Sequence, residues 1–276
     1  MTDKEYCAVS MRETFLKCKD GSHSPCGDAL SVSEGFLAVI DGATPKGART
    51  WDGMAGDVFI SSLLADAVAR LPRDVCAEEA ISALNGAVRA QYRRVGLDFD
   101  TLPPEERLQA SIVIYSVARR EVWLFGDCQF LVNGESFTAV RRGDALFADL
   151  RALCAEIAKE KGIADAGDYG RRAILPLLGE YMMLSNTDGE FGYDAITGGE
   201  IRAEHVQIHP VKPGDLVVLS SDGYPKLFDT LEKTEAYLFA SLAEDSACLS
   251  LLRGTKGMKT GNESFDDRCY LSFIVE

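Results

Sequence analysis

The segment "GFLAVIDGATPKG", residues 35–47, decides how the chain is interpreted, because an apolar run ends there in an aspartate and a glycine. A continuous apolar run that stops at turn residues is typical of a buried strand. The backbone of such a strand holds Asp41 in place, and Gly42 lets the main chain approach a neighbour and offer its carbonyl oxygen. Asp41 is therefore a candidate for chemistry as well as for a turn.

Five further apolar runs have the same character, and several are joined by short turns such as Arg119-Arg120 and Asn133-Gly134. Two-residue turns connect antiparallel strands. Apolar residues at helical spacing predict four helices, and helices bury their apolar side against a sheet. The pattern predicts an α+β fold in which helices cover antiparallel sheets. The further strands are expected at residues 110–118, 120–128, 130–134, 214–223 and 268–276, and the helices at about 60–71, 81–95, 146–157 and 233–244.

The length of 276 residues and the hydrophobic fraction of 46% fit one large globular domain over residues 1–276. No repeat, low-complexity tract or linker divides the chain. Residues 162–212 are rich in glycine and turn signals and give no clear helix or strand. A long irregular stretch of this kind is usually functional, so we expect a flap subdomain beside the site.

The charge balance limits the partners of the chain. The 29 basic and 43 acidic side chains give a net charge of -14, which disfavours nucleic acid and anionic membranes. Residues 1–15 show no basic segment followed by an apolar one, and no apolar run reaches the ~20 residues of a membrane span, so we expect neither a signal segment nor a membrane span. The eight cysteines are scattered without metal-ligand spacing, so we expect a cytoplasmic protein with free thiols. The oligomeric state stays open.

Acidic residues stand at the ends of several predicted strands. Asp222 follows "LVVLSS" as Asp41 follows "FLAVI", Asp127 ends "VWLF", and Asp266 and Asp267 precede the last strand. If the sheets bring these ends together, the like charges cannot all stay ionised unless cations lie among them. Carboxylate-rich oxygen ligation suits Mg²⁺ or Mn²⁺ rather than zinc. The sequence therefore predicts a metal site at the strand ends.

The order of these motifs resembles the PPM or PP2C family of metal-dependent Ser/Thr protein phosphatases, and the resemblance spans nearly the whole chain. "LSSDG" after "PGDLVV" and the two aspartates before the last strand are its most specific parts. The matching pieces are "GDA" at 27–29, "FLAVIDG" at 36–42, "FGDC" at 125–128, "VVLSSDG" at 217–223 and "DDRCYLSFIV" at 266–275.

The resemblance implies a four-layer αββα sandwich of two antiparallel β-sheets flanked by helices. It also implies hydrolysis of phosphoserine or phosphothreonine in a protein substrate by a hydroxide that bridges two metal ions, Mg²⁺ or Mn²⁺, with a third ion in some members. Asp41 and Asp222 are the catalytic aspartates in this interpretation. As metal ligands the resemblance implies Asp28 through a bound water, Asp41 as the bridge, Gly42 through its carbonyl, Asp222 and Asp266 at the second ion, and Asp127 at the third.

Three positions depart from the family pattern. Gly27 precedes Asp28 where the family has Glu, His23 stands where many members have a phosphate-binding arginine, and Ala43 stands where many have a proton-donating histidine. Histidine as a residue type can transfer protons near neutral pH, so His23 is a candidate catalytic residue. Lys46 or Arg49 could neutralise a phosphate. A solvated loop residue is the alternative for each.

Two functions follow from these observations. The first is a metal-dependent phosphatase. The second is a catalytically weak or inactive PP2C-like regulatory or binding domain, and the three departures from the family pattern favour this second function. The retained aspartates favour the enzyme, because an unpaired cluster of like charges destabilises a fold that binds no metal. An aspartyl nucleophile is disfavoured because "VIDGAT" lacks a second carboxylate two residues after Asp41. Cys128 is expected to be a buried thiol, and His205 and His209 to be surface or packing residues.

Overall fold

A computed structural model describes residues 9–139, 141–163 and 168–276. Ten strands form two antiparallel sheets of five strands each. Sheet 1 has the order β1-β10-β9-β6-β7, and sheet 2 has the order β2-β3-β4-β5-β8. The strands are β1 Val9–Lys17, β2 Asp28–Val32, β3 Phe36–Gly42, β4 Ala110–Ser116, β5 Glu121–Phe125, β6 Gln129–Val132, β7 Glu135–Thr138, β8 Gln207–Pro210, β9 Leu216–Ser220 and β10 Arg268–Val275. The helices are α1 Gly56–Val68, α2 Ala77–Arg94, α3 Arg142–Glu160, α4 Tyr169–Tyr181 and α5 Leu231–Glu244.

Three clusters of buried apolar side chains separate four layers. Along β3, Leu37 and Val39 belong to the cluster between the two sheets, whereas Ala38 and Ile40 belong to the cluster beneath α1 and α2. This alternation follows from the two-residue period of a strand. A third cluster joins sheet 1 to α5. The αββα sandwich is therefore confirmed, with α1 and α2 outside sheet 2 and α5 outside sheet 1.

All six predicted strands are present, and the two turns join antiparallel neighbours as expected. Arg120 has φ 52° between β4 and β5, and Asn133 and Gly134 have φ 50° and 91° between β6 and β7. Four observed strands were not predicted: β1, β2, β7 and β8. Each of them is an edge strand. Edge strands bury fewer side chains, so their apolar periodicity is weak.

The four predicted helices are also present, but α4 was missed. It lies within residues 162–212 and contains Gly170, Pro176 and Gly179, which hide its helical pattern. The apolar spacing that predicts α3 does not mark its buried side, because Leu146 and Leu153 are 58% and 52% exposed. α3 instead buries small residues and Arg151, and it packs against α4.

The sequence predicts free thiols and no membrane-spanning helix. The seven cysteines in the described residues are free thiols, whereas Cys7 lies outside those residues. None of the helices in the described parts of the chain has the length and apolarity needed to cross a membrane.

Candidate active site

The ends of strands from both sheets meet at one edge of the sandwich. Asp41 lies opposite Asp28 in the pairing of β3 with β2. From the other sheet, the backbone N–H of Asp222, two residues after β9, points to Oδ2 of Asp41 at 3.4 Å. The sheets therefore bring together Asp41 and Asp222, which are 181 residues apart in the sequence.

Two of the glycines that follow an aspartate are required by close packing of main chains. A Cβ atom on Gly42 would collide with the carbonyl oxygens of Asp57 and Gly27, and one on Gly223 would overlap the carbonyl oxygen of Asp267. Glycine is the residue without a Cβ, so both sites need it. The other three Asp-Gly pairs lie in turns, where the glycines have positive φ (Gly21, Gly53 and Gly189).

A cavity of about 120 Å³ lies at this edge. Its lining contains four acidic residues that were predicted as ligands, which we call the carboxylate cluster: Asp41, Asp127, Asp222 and Asp266. Gly42 also lines it, while Asp28 lies behind it and is 4% exposed. The cavity is lined as well by four basic residues, which we call the cation cluster: Lys46, Arg141, Arg171 and Lys256.

The carboxylates repel one another, although their exposure differs: Asp28 is buried, Asp41 is half-buried and Asp222 is exposed at the mouth of the cavity. Burial raises the pKa of Asp28, Asp41 and Asp222 well above the ordinary value, and the charges of neighbouring aspartates raise each further. For Asp41 these neighbours are Asp28, Asp127 and Asp266. Oδ2 of Asp28 is buried, and none of the described residues gives it a hydrogen-bond partner. Such a group of acids favours the arrival of cations.

Two members of the cation cluster pair with two members of the carboxylate cluster. Nη2 of Arg141 lies 2.8 Å from Oδ1 of Asp127, and the Lys256 ammonium contacts Asp266. Burial opposes ionisation of Asp266, but Lys256 and Lys19 together lower its pKa. These two acids are therefore neutralised by the chain itself.

The donors fit Mg²⁺ or Mn²⁺ in kind, because they are carboxylate and carbonyl oxygens. Their arrangement, however, is not that of a preformed metal site. Across residues 9–139, 141–163 and 168–276, no three or more side chains of His, Cys, Asp and Glu are placed so that they could hold a metal ion. A metal ion would have to take Asp266 and Asp127 from their lysine and arginine partners.

The structure does not bring His23 to the cavity. Its side chain is exposed, and Nδ1 lies 3.0 Å from the carbonyl oxygen of Leu16. Of the two cationic candidates near Asp41, Lys46 lines the cavity, whereas Arg49 lies outside it and contacts Glu106.

The remaining histidines and Cys128 make packing or surface contacts and do not line the cavity. His205 contacts Asp194 at 3.3 Å, and the ring of His209 packs on Phe137. Cys128 is fully buried, and burial together with the nearby Asp41 charge raises the pKa of its thiol. Its thiol is therefore protonated at neutral pH and unsuited to nucleophilic attack.

Sequence reasoning missed four charged residues that line the cavity: Arg141, Asp144, Arg171 and Lys256. None of them stands at the end of an apolar run. Arg171 belongs to the helix hidden among glycines, and Lys256 lies in a polar loop between α5 and β10. The sequence held no local signal that would have separated them from solvated charges.

Solved structures of similar fold include serine/threonine phosphatases. Stp1 from Staphylococcus aureus is 13% identical, with a TM-score of 0.50 over 100% of both chains. PstP/Ppp from Mycobacterium tuberculosis is 18% identical, with a TM-score of 0.48 over 97% of this chain and 99% of that one. RsbX in complex with magnesium is 15% identical, with a TM-score of 0.45 over 97% and 100%. No family model and no curated protein matches the chain. The similarity to Stp1 confirms the fold that the PPM/PP2C resemblance implied.

Proposed function

We propose that this chain is a metal-dependent phosphatase that hydrolyses phosphoserine or phosphothreonine in protein substrates. The observation that carries the proposal is the meeting of Asp41 and Asp222 from different sheets, with Oδ2 of Asp41 3.4 Å from the Asp222 nitrogen. Strand ends place carboxylates with little freedom. The free thiols of the described residues agree with a reducing compartment such as the cytoplasm.

Divalent ions would be held by Asp41, Asp222, Asp266 and the carbonyl of Gly42, with Asp28 behind them and Asp127 beside a further ion. When bound, they would supply charge for the phosphoryl oxygens and an activated water for attack. The unpartnered Oδ2 of Asp28 supports a role in holding such a water. The chain itself fixes these donors, because Gly42 and Gly223 permit the main chains to approach.

The size of the cavity supports a small reacting group. Its volume of about 120 Å³ is well below the roughly 300 Å³ at which pockets for drug-sized ligands begin. A phosphoryl group therefore enters while the rest of a substrate stays at the surface. This arrangement is suited to phosphorylated side chains of a protein.

A second candidate is a PP2C-like binding domain with weak or no turnover. The ion pairs of Arg141 with Asp127 and of Lys256 with Asp266 favour it, because they neutralise acids that a metal would otherwise need to neutralise. Against it stands the repulsion among Asp28, Asp41 and Asp222, which no described basic residue pairs with.

Hydrolysis of an aryl phosphate and of a phosphothreonine peptide, each with and without Mn²⁺, tests the proposal. We expect turnover that depends on Mn²⁺ and that Asp41→Asn and Asp222→Asn each abolish. Absence of Mn²⁺-dependent turnover on both substrates would leave the binding domain as the better description. Turnover that survives both substitutions would show that the reaction takes place elsewhere.

A further inference from the structure

The cation cluster divides into paired and unpaired members. Arg141 and Lys256 contact carboxylates, as described above. Lys46 and Arg171 make no ion pair with a carboxylate of the described residues, although both line the same cavity. Both side chains are half-buried. A partly desolvated cation without a counter-ion costs free energy, and cavities that hold such groups are candidates for binding an anion.

Lys46 lies in the loop after β3, at the side of the cavity next to Gly42. Its ammonium donates a hydrogen bond to the carbonyl oxygen of Thr44 at 2.5 Å. Burial, followed by the charges of Arg171 and Lys256, lowers the pKa of Lys46 to about 7. The acids Asp144 and Asp266 act in the opposite sense but do not restore it. Lys46 is therefore within electrostatic reach of two other cations that line the same cavity.

Arg171 lies in the first turn of α4, and two hydrogen bonds fix its position. Its backbone N–H donates to Oδ1 of Asp168 at 2.7 Å, and its Nη1 donates to the carbonyl oxygen of Thr255 at 3.0 Å. Burial is the main cause that lowers the pKa of Arg171, and the charge of Arg151 adds to it. The charges of Asp168, Asp266 and Asp144 act in the opposite sense but do not restore the ordinary value. The guanidinium has five N–H donors, so others remain for a ligand.

The position of α4 is itself fixed by a buried arginine. Nη2 of Arg151 on α3 lies 2.8 Å from Asp168, the residue that caps α4. Arg151 also donates hydrogen bonds to the carbonyl oxygens of Ala247, Cys248 and Gly254. Through these contacts it ties the start of α4 to the loop that carries Lys256. Arg171 is therefore presented to the cavity by an ordered network.

We propose that Lys46 and Arg171 together bind the phosphoryl group of a phosphomonoester. This inference rests on the proposed function of the same cavity. Two cations on opposite elements can neutralise a dianion, and the planar guanidinium can bind two of its oxygens at once. The pair supplies in this chain the anion binding that His23, exposed and outside the cavity, does not supply.

Calorimetric titration with inorganic phosphate, in metal-free buffer and again with Mn²⁺, tests the inference without requiring turnover. We expect Lys46→Met and Arg171→Met each to weaken phosphate binding about tenfold or more, as expected for losing a charged hydrogen bond. Arg49→Met and Arg172→Met are matched controls, because each lies near its counterpart in sequence but outside the cavity lining. Lys46→Arg should retain most of the affinity.

The outcomes separate this inference from the proposed function. Phosphate binding that depends on Lys46 and Arg171 would support the site even if no turnover were found. Unchanged phosphate affinity in both variants, or no binding by the wild type in either buffer, would overturn it while leaving Mn²⁺-dependent turnover to be judged separately. Circular dichroism of each variant establishes that it is folded.

Discussion

The carboxylate cluster and the cation cluster face the same cavity but come from different kinds of structure. Asp41, Asp127, Asp222 and Asp266 each lie at or within two residues of the end of a strand in the central sheets. The four cations lie on connecting loops, at the start of α3 or on α4. The sheets thus fix the groups suited to metal ions, whereas the outer segments carry the groups suited to an anionic substrate. We expect changes in the two clusters to have different kinetic signatures.

The largest effect is expected in the carboxylate cluster. Asp222→Asn should lower kcat in the Mn²⁺-dependent reaction by more than about 100-fold, because even residues that only support a ligand typically cost 10- to 100-fold. The variant should not melt earlier than the wild type in EDTA, since it removes a repelling charge. Steady-state kinetics and thermal melting measure the two quantities.

Asp52→Asn is the matched control for this prediction. Asp52 also precedes a glycine, but it lies in an exposed turn with φ 48° and pairs with Arg94 at the surface. Asparagine tolerates this left-handed conformation. Equal losses of kcat in both variants would mean that the position of Asp222 at the sheet edge is not what matters.

The difference between the clusters also explains what the sequence could predict. A buried strand leaves a readable apolar run, so a charged residue at its end stands out, as Asp41 and Asp222 do. Lys46 was noticed only because it follows Asp41 closely. Arg171 and Lys256 reach the cavity through tertiary packing of α4 and of the loop before β10, which no local pattern records. His23 was near in sequence to Asp28 yet lies outside the cavity.

Prediction of the fold has the same limit, because local sequence patterns reveal buried elements and not exposed ones. The interior strands were predicted because both of their faces are buried, as in β4, where every residue is buried. Edge strands such as β7 have mainly exposed side chains and left no signal. Four-layer packing followed from the resemblance, since apolar periodicity alone predicts covered sheets without saying how many layers they form.

The next largest effect is expected on the free energy of unfolding, at Arg151, which anchors the part of the cation cluster on α4 and the loop before β10. Arg151→Met should lower the free energy of unfolding by about 3–5 kcal/mol, because it leaves Asp168 and three carbonyl oxygens without their buried partner. Arg253→Met removes a surface ion pair with Asp149 and should cost less than about 1 kcal/mol. Urea unfolding of both variants gives the comparison, and similar values would show that Arg151 is not an anchor.

A smaller effect is expected where the two clusters touch. Lys256→Met should bind Mn²⁺ about tenfold more tightly, because it removes a cation that competes for Asp266. Lys259→Met, an exposed position three residues later, should bind as the wild type does. Calorimetric titration with Mn²⁺ measures this. Weaker binding in Lys256→Met would show that Lys256 helps to build the metal site rather than competing with the metal.

The smallest effect is a pH dependence of stability at Lys46. The native pKa of about 7 lies below the ordinary 10.5, so between these values the unfolded chain holds more protons at this side chain. Wild-type stability should therefore rise with pH across this window relative to Lys46→Met. Below about pH 7 Lys46 is charged in both states, so its contribution to stability no longer changes with pH.

Lys46→Met should accordingly melt higher than the wild type near pH 6, by about 2–4 °C, and lose this advantage as the pH approaches about 10. Phosphate should also reduce the difference near pH 6, because a bound phosphate anion provides the missing counter-ion for Lys46. Arg49→Met, exposed and outside the cavity, should show no such trend. A melting difference that stays constant over the whole pH range would mean that Lys46 is well hydrated, and the distinction between a paired and an unpaired half of the cation cluster would then disappear.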